Sequence, residues 1–109
     1  MRDSVSPNSI VRPAPEVVFQ WLEEEVVLLN LDSGMYYGLE PVGARIWKLI
    51  ENPQSLATVI AQVEREFDVE HSRVESDVLG LVGELQKSGL VTVENPPEEL
   101  PQFEPNRSR

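Results

Sequence analysis

Few side chains in this sequence are placed to do covalent chemistry. Cysteine is absent, which removes a thiolate nucleophile, a disulfide framework and a thiolate metal site. His71 is the single histidine, at an expected helix start, and lacks neighbours at metal-ligand spacing. The 19 acidic residues fall on faces expected to be solvated, and no Ser/His/Asp grouping can be placed. Gly34, Gly38 and Gly43 do not have the spacing that cradles a phosphate. The expectation is no enzyme, no metal and no cofactor. What Met35-Tyr36-Tyr37-Gly38-Leu39 offers instead is main-chain chemistry, as a sheet edge that another peptide can join. Each backbone hydrogen bond so formed nets only about 0.5–1.5 kcal/mol, because water leaves both partners. Apolar anchors must therefore decide which peptide binds.

The 109 residues suit one domain with a modest core. A formal charge of −10, from 19 acids against 9 bases, repels a phosphate backbone, and no Lys/Arg cluster offsets it. Nucleic acid therefore ranks well below a protein or peptide partner. No run of roughly 18 apolar residues occurs, and Met1 to Pro7 lacks the charged-then-apolar order of a signal peptide. A soluble cytoplasmic chain with no membrane contact is the expectation.

The elements that must hold the edge follow from pattern. Residues 1–15, polar with three prolines, read as a flexible lead-in. Val17 to Leu22 is β-branched and aromatic, hence a strand; Glu23-Glu24-Glu25 turns the chain. Val26 to Leu31 is a second strand, so continuously apolar that burial on both faces or a central place is expected. Asp32-Ser33-Gly34 makes the next turn, and Met35 to Leu39 pairs back as the third strand. Glu40-Pro41 opens a helix, which stops at Asn52-Pro53. Its apolar stripe is Val42, Ile46, Trp47, Leu49 and Ile50. Ser55 caps a second helix carrying Leu56, Val59, Ile60, Val63 and Phe67 on one face. The third helix runs from His71 to Ser88 and ends at Gly89, with Val74, Val78, Leu81, Val82 and Leu85 as its core stripe. Leu90 to Val93 is a short extended coda or wing. Residues 94–109 read as a disordered, acidic, Pro-rich tail. The fold class is α+β and winged-helix-like, with a three-stranded antiparallel sheet followed by three helices.

Several residues keep two readings. Alternation puts Tyr36 and Gly38 on one face of the third strand and Met35, Tyr37 and Leu39 on the other, without saying which is open. Leu79 lies off the core stripe of the third helix, so it is either a ligand contact or a scattered surface leucine. Gly80 and Gly83, each costing about 1 kcal/mol in a helix interior, mark either a close approach or an indifferent exposed face. Trp21 and Trp47 fit a core better than a ligand platform. Asp77 and Arg45 could form an ion pair.

Leu31-Asp32-x-Gly34-x-Tyr36-Tyr37-x-Leu39, then Val42-Gly43-Ala44-x-Ile46-Trp47, then Asp77-Val78-x-x-Leu81-x-x-Leu85-x-x-x-Gly89-Leu90, resembles PqqD-like proteins. These are leader-recognition domains for ribosomally made, post-translationally modified peptides. The resemblance covers Val17 to Val93, and is carried by the order and spacing of the motifs together. It implies a recognition domain over residues 16–93 that binds a precursor's leader between the third strand and the third helix. It also implies delivery of that leader to a separate leader protease and a cyclase, as in lasso-peptide clusters. The peptide-binding set it implies is Met35, Tyr36, Tyr37, Gly38, Leu39, Val74, Glu75, Val78, Leu79 and Val82. Glu40 departs from the family, where Asn is common after the Leu, and the Pro-rich tail lies outside the pattern. The competing reading is an acidic winged-helix module for protein–protein contact or dimerisation.

Overall fold

In the computed structural model, residues 5–96 are described. The alternation and turn signals of residues 17–39 produce a meander of β2 (Val17–Leu22), β3 (Glu25–Asn30) and β4 (Tyr36–Leu39), all antiparallel, with β3 in the middle. Cross-strand partners include Phe19, Leu28 and Tyr37 in one row and Val18, Leu29 and Tyr36 in the next. A second sheet is built around β1 (Ile10–Pro13), flanked by β5 (Gln54–Ser55) and β6 (Val91–Glu94).

β1 corrects the flexible lead-in expected for residues 1–15. The three prolines lie at or outside the ends of Ile10-Val11-Arg12, and so do not interrupt its pairing. Val11 is fully buried, which rewards ordering the segment. The expected coda is the strand that pairs with it, Pro13 opposite Val91 and Ile10 opposite Glu94. Residues 1–4 and 97–109 lie outside the described residues, and with them most of the expected tail.

Three helices complete the fold, α1 (Pro41–Ile50), which touches both sheets, α2 (Leu56–Phe67), which packs on α1 and α3, and α3 (His71–Lys87). Pro41 sits in the first turn of α1, and the Ser55 hydroxyl accepts from the Thr58 N–H at the start of α2. α3 ends in a Schellman motif: Leu90 N–H donates to Leu85 O, Gly89 N–H to Gln86 O, and Gly89 has φ +75°. Trp47, Leu28, Ile46, Ile50, Leu56 and Leu85 are among the large side chains fully inside. Trp47 is core, with the Phe19 ring edge-on at 5.6 Å, while Trp21 is only half-buried. Two stripe members are exposed, Val42 at 46% and Phe67 at 37%, and Leu49 and Leu81 are half-buried.

The ion pair suggested for Arg45 and Asp77 does not form. Arg45 grips Glu66 through both carboxylate oxygens, at 2.8 and 2.7 Å, joining α1 to α2, and Asp77 faces Arg73 at 3.4 Å. The hydrogen bond from Arg45, helped by Gln62, draws the Glu66 carboxyl down from 4.5 to about 2. A carboxyl depressed in this way stabilises the fold above its unfolded value, and that contribution fades as pH falls from 4.5 towards 2. Arg45→Met should flatten this part of the stability–pH curve in urea titrations. At neutral pH the change stays under about 1 kcal/mol, since the pair is solvated.

Gly80 and Gly83 also resolve. A Cβ built on either meets nothing within 4 Å, so among the described residues no segment approaches them. Gly80→Ala and Gly83→Ala should each raise stability by up to about 1 kcal/mol, read as a higher urea midpoint.

Candidate functional site

β4 is an edge strand: β3 pairs with one side, and among the described residues no strand pairs with the other. The parity of its hydrogen bonds can be read from the preceding turn. Asn30 N–H donates to Met35 O at 3.0 Å, and Gly34 N–H donates to Asn30 O at 2.8 Å. In an antiparallel ladder main-chain groups alternate sides. Tyr37 and Leu39 therefore direct theirs to β3, as Met35 does its C=O while its N–H donates to Ser33 Oγ, and Tyr36 and Gly38 direct an N–H and a C=O each to the open side.

Side chains alternate in step. Tyr37 and Leu39 turn inward beside Leu28 and Val26, half-buried and buried respectively. Tyr36 is 70% exposed on the outer face, with Gly38 next to it on the same face. Met35 shares the parity of Tyr37 but lies just before the strand, and is 53% exposed.

The wall facing β4 is one flank of α3. The Tyr37 hydroxyl and Ser88 Oγ share a hydrogen bond at 2.7 Å. A Cβ on Gly43 would lie 3.5 Å from both Leu39 and Leu81, so strand end, α1 and α3 meet there. At 100° per residue, Leu81 and Ser88 lie on one flank of α3 with Asp77 and Glu84. Leu79 is about 160° round the helix from Leu81 and projects from the opposite side. Glu75 shares Leu79's flank. It lies 3.4 Å from the His71 ring, whose other nitrogen is 3.0 Å from Glu64 of α2. The hydrogen bond to Glu64, with these nearby charges, raises the His71 pKa above 6.5.

Of the ten residues expected at the site, the fold gathers Met35, Tyr36, Tyr37, Gly38 and Leu39 along the open edge. Val74, Val78 and Val82 are inside the core, at 4, 1 and 0% exposure, and present no surface. Glu75 and Leu79 lie on the flank turned away from β4. Sequence reasoning reserved Leu81 for the core, yet it is half-buried and reaches the cleft. Distinguishing the flanks needed the position of β4 relative to α3, which periodicity within α3 does not contain.

Sequence reasoning also missed Asn30. Its buried amide donates to Gly89 O at 2.9 Å, and its Oδ1 accepts from the N–H groups of Asp32 and Ser33. It thereby fixes the turn that launches β4 against the end of α3. A single amide in the apolar run Val26 to Leu31, two residues before Asp32-Ser33-Gly34, was the available signal. Asn30→Ala should cost about 2 kcal/mol in urea unfolding, since Gly89 O loses its buried donor. Among the described residues no group of three metal-ligating side chains occurs, and no helix is long and apolar enough to cross a membrane.

The family model described as coenzyme PQQ synthesis protein D (PqqD) matches residues 25–91, well over half of the chain. The chain belongs to the PqqD family. No curated protein matches it. This PqqD-family chain is similar to TbiB1, solved in complex with the TbiA(beta) leader peptide. Identity is 32% and TM-score 0.71, over 73% of this chain and 93% of that one. It is likewise similar to a lasso peptide synthetase B1 complexed with its leader peptide: 29% identity, TM-score 0.69, 75% and 96% coverage. The PqqD truncation of Methylobacterium extorquens PqqCD shares the fold at 16% identity and TM-score 0.69, over 84% and 97%.

Proposed function

We propose that this PqqD-family chain is a non-catalytic adaptor in the making of a ribosomal, post-translationally modified peptide, of the lasso class. It binds the leader of the precursor by strand addition to β4 and presents it to a leader protease and a cyclase. The observation that carries the reading is the open side of β4. Tyr36 and Gly38 each hold a donor and an acceptor ready there, next to a cleft walled by Leu81 of α3 and Ser88 at its C-terminal end. Strand addition would satisfy these groups, while Met35, Tyr37, Leu39 and Leu81 receive alternate side chains of the leader. Similarity to two proteins solved with leader peptides supports the same reading.

Titrating the purified chain with the leader encoded beside it tests this. Saturable binding at or below tens of micromolar, roughly 6 kcal/mol or more, is expected. No binding at that concentration would contradict it.

A further inference from the structure

β4 is not the only open edge of the meander: among the described residues β2 pairs with β3 alone. Leu22 stands opposite Glu25 across the turn, and Val17 N–H donates away from β3, to Ala14 O at 3.1 Å. Alternation then sends the main-chain groups of Phe19 and Trp21 to the free side. Their side chains share the inner face, where Phe19 is 40% exposed and Trp21 half-buried. Such an edge invites an unwanted strand unless a loop or prolines cover it.

Beside Trp21 the surface opens into a groove of about 550 Å³. Glu23 and Glu24 form one lip, Pro41, Arg45 and Lys48 of α1 the other, and Phe67 of α2 completes it. The Lys48 ammonium lies 5.7 Å from the centre of the Trp21 ring, while Arg45 is held by Glu66. Among the described residues Glu23, Glu24 and Lys48 form no ion pair. The groove thus has an aromatic floor and unpaired charge of both signs at its rim.

Reach and composition select the occupant. The Asn95 side chain hydrogen-bonds the Ser9 hydroxyl, and Ser9 O accepts from Leu56 N–H at 2.9 Å. Asn95 therefore stands at the start of α2 and the groove at its other end, about 18 Å away along 12 residues of helix. Phe103 comes eight residues after Asn95, and eight residues of polyproline-type chain span about 25 Å. Leu100 and Phe103 match the aromatic floor, Glu99 and Glu104 match Lys48, and Arg107 and Arg109 match Glu23 and Glu24.

We infer that residues 97–109 of the same chain dock in this groove, with Phe103 against Trp21 and Phe67. Pro101 and Pro105 have no N–H to offer a further strand, so the docked segment closes the Trp21 end of β2 and leaves β4 open. A tethered segment meets its site at an effective concentration of the order of millimolar, so even a weak contact is mostly occupied. This docking involves no leader and is independent of the adaptor reading.

The chain has no cysteine, so Asn106→Cys gives the full chain a single attachment point for a nitroxide spin label. In isotope-labelled protein the Trp21 indole N–H and the Glu24 and Lys48 amides should lose most of their NMR intensity, and recover it when the nitroxide is reduced. Adding Phe103→Ser should restore most of that intensity with the nitroxide still oxidised, because the anchor is gone. Full intensity at these three positions beside the oxidised nitroxide would overturn the docking, as would broadening that Phe103→Ser leaves unchanged. Broadening confined to Tyr36 and Gly38 would put the segment on the leader edge and overturn it too. With nitroxide and isotope on separate copies, mixed in equal amounts, no broadening is expected; broadening there would make a second copy the occupant and contradict the inference.

Discussion

Replacing Tyr36 by proline should lower leader affinity about 30-fold or more while the domain stays folded. Tyr36 opens β4, and its N–H points to the open side, so no ladder bond to β3 is lost. Proline is tolerated at such a place, the first residue of an edge strand. It removes one donor needed by an incoming strand, and its ring stands where the peptide must approach. Two lost main-chain bonds at about 1 kcal/mol each already account for a factor of about 30. Tyr36→Ala is the control, since it keeps the N–H and trims only a side chain that is 70% exposed on the other face. It should cost the leader far less than the proline. Equal effects of the two would mean that the ring of Tyr36 matters and its main chain does not.

The second large effect separates the two flanks of α3. Leu81→Ala and Leu79→Ala remove the same atoms from the same helix, two residues apart. Leu81 meets Gly43 and Leu39 at the cleft, whereas Leu79 projects from the far side with Glu75. Leu81→Ala should weaken leader binding about tenfold, as expected for about 1–2 kcal/mol of apolar contact, and Met35→Ala should act similarly. Leu79→Ala should leave affinity within about twofold, although both leucine changes lower stability because both pack on the core. Calorimetric titration of the three variants decides it. A larger loss for Leu79 than for Leu81 would move the groove to the other flank.

The contrast between those two leucines shows where sequence reasoning stops. Turn chemistry at Asp32-Ser33-Gly34, the Pro41 helix start, the Ser55 cap and the Gly89 stop are local, and each appears where the residues put it. The meander and its edge follow from three apolar runs with short connections. β1 could not be found that way. Ile10–Pro13 is held by pairing with Gln54–Ser55 and with Val91–Glu94, the latter about 80 residues later, and four residues carry no period of their own. Periodicity places Val74, Val78 and Val82 on the core stripe of α3, and for that reason they are too deep to meet a visitor. Phe67 continues the stripe of α2 by spacing, but falls at the helix end where the core has run out.

The main-chain amides of β4 give the most direct test of the account. Hydrogen exchange, followed by NMR on the labelled chain with and without leader, reads Tyr36 and Gly38 against Tyr37 and Leu39. The outward pair should exchange freely in the unliganded chain and become protected when the leader binds, while the inward pair is protected throughout. Leader binding that leaves Tyr36 and Gly38 exchanging as before, or that protects β2 instead, would contradict strand addition at this edge.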